Sequence, residues 1–216
     1  MKLSNRLELV ASMVDDNSNI IDVGCDHAYL SIYLAKTLKN VNITASDIKE
    51  RPLESAKENI KKYHLENKIK VELKDGITNI DSNIDTVIIS GVGGILITNI
   101  LNPKYLDNVE TIILSPNNEF ELVRDHLRKI GFYPEVEKLI TDKDITYLVI
   151  KAKRGNKKFN NLFGVLKNNE LETIYYFNKR SLNNKKIIKS LPNKYLFKKI
   201  KLKRENKKIN KFLNGK

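Results

Sequence analysis

Through residue 153 the chain alternates short apolar runs with stripes of apolar residues at helical spacing. Strand-like runs fall at 19–23, 42–46, 69–73, 85–90, 111–115, 133–137 and 146–151. Helical patterns fall at 28–38, 52–64, 95–101 and 118–131, and Ser4 is placed to cap an earlier helix carrying Leu7, Val10, Ala11 and Val14 on one stripe. Runs separated by roughly 20 to 30 residues with a helix between them predict βα units, hence an α/β doubly wound sheet with helices on its faces. The last two runs lie close enough to pair antiparallel at the sheet edge.

A polar stretch, Lys153-Arg154-Gly155-Asn156-Lys157-Lys158, marks a boundary between residues 1–153 and residues 154–216. Beyond it Leu166, Ile174, Phe177, Leu182, Ile187, Ile188 and Leu191 recur at helical spacing. Pro192-Asn193 interrupts, and Tyr195, Leu196, Ile200, Ile209, Phe212 and Leu213 resume. A proline fits a helix start but not its middle, so the pattern predicts a C-terminal helical hairpin.

Charge sharpens this division. Residues 1–153 hold 20 Lys and Arg against 23 Asp and Glu, a net of −3; residues 154–216 hold 19 against 3, a net of +16. A lysine-rich composition bias would enrich the whole chain and would not empty one end of acids. The basic segment therefore reads as a polyanion-binding surface. No apolar run is long enough to span a membrane, and the start carries no signal-peptide pattern, so a cytoplasmic protein with no membrane partner is expected. The single cysteine, Cys25, excludes a disulfide framework and a cysteine-rich zinc site, and no metal is expected.

Candidate chemistry gathers at the ends of the strand-like runs. In Asp22-Val23-Gly24-Cys25-Asp26-His27-Ala28-Tyr29-Leu30 an apolar strand reaches a glycine turn and a helix begins, which sets backbone N–H groups against a ligand at the sheet's C-terminal edge. One glycine does not make G-x-G-x-x-G, so a small cofactor with a carboxylate suits this turn better than a pyrophosphate. Asp47, followed by Ile48, closes the next run at the distance where doubly wound folds place a ribose-binding acid; alone it reads as a helix cap. Asp75-Gly76 ends the third run and serves either an exocyclic amine or a turn. Gly91, Gly93 and Gly94 fall within Ser90-Gly91-Val92-Gly93-Gly94, a loop that lets a ligand approach the backbone. In Ser115-Pro116-Asn117, the asparagine offers a donor and an acceptor to a base edge. No serine triad, zinc-deaminase signature or P-loop occurs.

Taken together, the motifs Leu3-Ser4-Asn5-Arg6-Leu7, Asp22 through Leu30, Ser90 through Gly94, and Ser115-Pro116-Asn117 resemble the TrmK family of bacterial tRNA methyltransferases. That resemblance runs through the first domain and implies a Rossmann-like class I methyltransferase with a C-terminal coiled coil. The family commonly carries Ser, Glu, Met and Gln where Cys25, Asp47, Val92 and Ser115 stand. The resemblance further implies S-adenosyl-L-methionine as cofactor, tRNA as partner and N1 of adenine 22 as target.

Within that frame Asp22, Gly24, Cys25, Asp47, Ile48, Asp75, Gly76, Gly91 and Gly93 are expected to hold the cofactor. Asp26, His27, Tyr29 and Asn117 are expected to serve the reacting base, in a monomeric enzyme. Adenine N1 has an in-plane lone pair and needs no general base, in keeping with the lack of an obvious one. Alternatives are a methyltransferase acting on another RNA or on a protein, and a non-catalytic RNA-binding protein with a relict pocket. A nicotinamide enzyme is disfavoured by the missing glycines.

Overall fold

The computed structural model describes residues 2–142 and 145–215. Helix α1 (Asn5–Ala11) starts where expected, with the backbone N–H of Leu7 donating to Ser4 Oγ at 3.4 Å. There follow β1 (Asn19–Val23), α2 (Tyr29–Thr37), β2 (Asn42–Asp47), α3 (Glu50–Lys62), β3 (Ile69–Leu73), β4 (Thr86–Ser90) and α4 (Gly94–Ile100). Then come β5 (Thr111–Ser115), α5 (Phe120–Lys129), β6 (Phe132–Asp142) and β7 (Ile145–Arg154). The seven strands form one sheet in the order β3-β2-β1-β4-β5-β7-β6. β1 to β5 run parallel, and β7 pairs antiparallel with both β5 and β6.

Central strands covered on both faces must be apolar throughout, and they are: Ile20, Ile21, Val87, Ile88, Ile89, Ile112, Ile113 and Leu114 are all fully buried. Register aligns the strand ends. Val23 pairs with Ser46 and Ile89, Asp47 with Leu73, and Ser90 with Ser115. Every candidate turn therefore leaves the same edge of the sheet. Strand order reverses between β1 and β4, and a crevice opens outside their C-terminal ends.

Two compact units are present, Met1–Val165 and Leu166–Lys216, so the first extends past the boundary expected at residue 153. The reason is a buried ion pair that polar composition concealed. Arg124 on α5 donates from Nε to Glu137 Oε1 on β6 at 2.7 Å, and from Nη1 to the carbonyls of Asn161 and Leu162. Glu137 Oε2 in turn accepts from the backbone N–H of Val165 at 2.8 Å. Carbonyls and an N–H of the segment after β7 thus satisfy charges inside the first unit.

In the second unit α6 (Leu171–Ser190) and α7 (Leu196–Leu213) pack together as the expected hairpin, with Pro192 at the turn. Its seam departs from the apolar stripe read in the sequence. Phe177, Ile209, Thr173, Ser181, Asn184 and Asn206 are buried, whereas Leu182, Ile187 and Leu196 are exposed. Phe177 and Phe212 meet edge to face, 5.5 Å between centroids. A polar layer completes the seam: Asn184 Nδ2 donates to Asn206 Oδ1 (3.0 Å) and to Glu205 Oε1 (2.9 Å), and Asn206 Nδ2 donates to the Ser181 carbonyl. Such a layer fixes register, since a slipped pairing would bury unsatisfied amides.

Candidate active site

At the switch point a cavity of about 290 Å³ is lined by Arg6 and Leu7 of α1, by Asp22, Gly24, Cys25, Asp26, His27, Tyr29 and Leu30 around the first turn, and by Ser90, Gly91 and Val92 after β4. The first turn is contorted. Gly24 (φ +71°), Asp26 (+51°) and Ala28 (+57°) all adopt left-handed backbone, a conformation that glycine takes freely and the other two do not. This winding turns Asp26 outward, its side chain 70% exposed, with Oδ1 3.6 Å from His27 Nε2. The rings of His27 and Tyr29 stand 5.6 Å apart. Asn59 of α3 donates to the His27 carbonyl at 3.0 Å and ties the turn down.

Two of the expected backbone donors are spent within the protein. The N–H groups of Gly24 and Cys25 both donate to the Ser46 carbonyl, at 2.8 and 2.9 Å, so the turn is anchored to β2 and does not offer those groups to a ligand. Asp26 N–H lies 3.4 Å from Asp47 Oδ2, and Lys49 N–H donates to Asp47 Oδ1 at 3.0 Å. Asp47 thereby joins the ends of β1 and β2.

Asp22 sits under the cavity. Burial raises its pKa to about 6, and the hydrogen bond from Ser31 Oγ (2.6 Å) only partly offsets this. Burial first, then the charges of Asp22 and Asp47, push the Cys25 thiol well above its usual range, which leaves it a protonated, non-nucleophilic wall.

The β4 loop is held from β5. Asn117 Nδ2 donates to the Gly91 carbonyl at 2.7 Å, Asn117 N–H to the Val92 carbonyl at 2.9 Å, and Gly91 N–H to the Ser115 carbonyl at 3.0 Å. Asn117 is thus bonded to the loop and is not among the residues lining the cavity. Gly93 precedes α4 and lies against Asn118, whose Oδ1 accepts from Gly94 N–H at 3.0 Å. Asp75 lies in a turn, its carbonyl accepting from Thr78 Oγ1. Asp47, Ile48, Asp75 and Gly76 lie on the same sheet edge as the cavity, at the ends of β2 and β3; Ile48 is exposed there.

Sequence reasoning passed over Arg6 as a site residue. Its guanidinium lies across Gly91, where a Cβ would meet Nη1 at 3.1 Å, and it stands 5.2 Å from the Tyr147 ring centroid. Nη1 is buried and, among the described residues, has no hydrogen-bond partner. Only its place in the motif hinted at it, because the side chains that hold it are far away in the chain. Among the described residues no group of three or more His, Cys, Asp or Glu is arranged to hold a metal ion, and no helix is long and apolar enough to cross a membrane.

Residues 3–150 match the family model described as a methyltransferase domain. The chain is 34% identical over 161 residues to the tRNA (adenine(22)-N(1))-methyltransferase of Bacillus subtilis, which covers 73% of this chain and 67% of that one. The chain belongs to the TrmK family. Solved structures are similar to this chain over nearly its whole length. A putative tRNA (m1A22) methyltransferase of Streptococcus pneumoniae gives a TM-score of 0.91 at 29% identity, covering 98% of this chain and 100% of that one. M. capricolum TrmK, in complex with S-adenosyl-homocysteine, gives 0.87 at 26%, covering 99% of each. The TrmK fold is therefore present here, and the cavity lies at the switch point of its sheet, where open α/β folds bind ligands.

Proposed function

We propose that this chain is an S-adenosylmethionine-dependent methyltransferase acting on N1 of adenine 22 of tRNA. The observation that carries the proposal is the cavity itself: in a TrmK-family chain, Arg6 Nη1, buried and without a hydrogen-bond partner among the described residues, lies beside the Gly91 loop in a cavity that the exposed Asp26 also lines. The residues fit the cofactor. Its methionine part bears a carboxylate, and Arg6 Nη1 is a donor in need of one. Asp47 suits the ribose hydroxyls, exposed Ile48 an apolar base face, and Asp75 with Gly76 the far end of the base; Asp22, Gly24, Cys25, Gly91 and Gly93 shape the floor and rim. The bound cofactor supplies an electrophilic methyl group.

The protein's task is alignment and charge placement. The attacking nitrogen carries its own lone pair, and the methylated base is a cation. Asp26, exposed at the cavity mouth, is the carboxylate positioned to favour that cation; His27 and Tyr29 form the adjoining wall against which the base is set. Asn117 fixes the Gly91 loop with one N–H of its amide, which leaves the other N–H and Oδ1 to meet the edge of the base. N1 lies on the pairing edge, so the target must leave its stack before entering. The basic segment from Arg154 onward, with its net +16, supplies the phosphate-binding surface.

Calorimetry with S-adenosylmethionine and S-adenosylhomocysteine on the full chain and on Asp26→Asn tests the site. Uptake by both proteins, with turnover on tRNA lowered by about a hundredfold or more in the variant, is the expected result. No uptake by the folded wild type refutes the proposal.

A further inference from the structure

The hairpin exposes an apolar surface that its own packing does not explain. At the turn between α6 and α7, Tyr195, Leu196 and Phe197 all project into solvent, Phe197 at 89% exposure, and nearby Ile187 and Ile200 are also exposed. A hairpin turn needs no aromatic side chains: Pro192 and the single 3-10 turn Asn193–Tyr195 close it. These rings are interleaved with cations in Lys194-Tyr195-Leu196-Phe197-Lys198-Lys199. Lys194 Nζ lies 5.4 Å from the Tyr195 ring centroid, and Lys199 Nζ donates to Asn193 Oδ1 at 3.2 Å. No Asp or Glu stands between Glu172 and Glu205, whereas eleven Lys and Arg do.

We infer that this turn is a stacking platform for unpaired bases of the RNA substrate, with Phe197 and Tyr195 as its rings and the flanking lysines bound to phosphate. Aromatic residues set among cations are the arrangement that holds single-stranded or looped nucleic acid, because every base has a face to stack while its backbone meets positive charge. Folded RNA presents such bases in its loops. Charge argues against the other occupants. A second copy would bring the same acid-free stretch against itself, and a neutral apolar partner would leave the lysines unused. The inference rests on the tRNA-directed function proposed above and adds where, and through which chemistry, the hairpin engages that RNA.

The chain has no tryptophan, so Phe197→Trp installs a single fluorophore at the turn. In the full chain, excited where tyrosine does not absorb, its emission is titrated with unmodified tRNA transcript, with a fully paired RNA duplex, and with anionic lipid vesicles. Saturable quenching by the tRNA, well beyond that by the duplex, is expected. In parallel, Phe197→Ala is expected to weaken tRNA binding about fivefold or more while leaving S-adenosylhomocysteine uptake and the salt slope of RNA binding unchanged. Lys198→Gln is expected to reduce that slope instead.

Silent emission on a tRNA that is demonstrably bound and methylated overturns the inference alone. Equal quenching by the duplex overturns stacking. A response to vesicles but not to tRNA reassigns the surface to membrane. Failure of the wild-type chain to bind tRNA at all removes the function proposal and this inference together.

Discussion

Asn117 Nδ2 donates to the carbonyl oxygen of Gly91 at 2.7 Å, a side chain at the end of β5 holding the backbone of the loop that follows β4. The bond crosses between neighbouring parallel strands and sets one rim of the cavity. Asn117→Asp puts an acceptor against an acceptor, and Asn117→Ala leaves the carbonyl to solvent. Both are expected to lower methyl transfer by more than they lower cofactor affinity. The aspartate is expected to be worse, and the stability loss in the alanine variant is about 1 kcal/mol. Turnover assays beside thermal melts check this; an Asn117→Asp enzyme with unchanged turnover contradicts it.

Arg6 gives a sharper test, because the ligand can be trimmed as well as the protein. A charge-assisted bond between its guanidinium and the cofactor carboxylate is worth roughly 1.5–3 kcal/mol. Arg6→Gln is therefore expected to weaken S-adenosylhomocysteine binding about tenfold to a hundredfold. Binding of 5′-methylthioadenosine, which has no carboxylate, is expected to change little. Equal losses for both ligands would mean that Arg6 shapes the pocket without holding that group.

The buried Asp22 carries a pH signature. Its folded pKa, about 6, lies above the ordinary carboxylate value of 3.8, so the protonated form is favoured on folding. Its contribution to stability is greatest below pH 3.8 and is lost as pH rises through about 6. Relative to Asp22→Asn, the wild type is expected to lose up to about 3 kcal/mol across that window. Denaturant titrations of both proteins over the window measure the difference, and parallel curves would show that Asp22 titrates normally.

Breaking the Arg124–Glu137 pair strands a buried cation. Glu137→Gln keeps shape and one acceptor but loses the charge, and is expected to destabilise the first unit by about 3–5 kcal/mol. Binding of S-adenosylhomocysteine by the protein that stays folded is expected to survive. A variant as stable as wild type would show that the pair only breaks even against its desolvation.

Much of this was legible in the sequence, and the failures share a cause. The apolar runs of β1, β4 and β5 are buried on both sides, so hydrophobicity alone marked them, and the acids and glycines that follow fell at the sheet edge because strand ends mark that edge. The bond from Asn117 to the Gly91 carbonyl was less visible, because which neighbour its amide meets depends on sheet order. Arg6 was missed as a site residue for the same reason, since Tyr147 and Gly91 approach it only in the fold. Periodicity marked the hairpin but not its seam, which is closed in part by Asn184, Asn206 and Ser181. Residues 155–165 were assigned to the basic segment on polarity, although their backbone groups complete a buried ion pair.

The central claim meets its most direct test in primer extension on unmodified tRNA transcript after incubation with the full chain and S-adenosylmethionine. Methylation at N1 blocks pairing, so a reverse-transcription stop at adenine 22 is predicted, absent when that adenine is replaced by guanine or the cofactor is withheld. Full-length extension after treatment with folded, cofactor-binding protein, or a stop at another nucleotide, would contradict it.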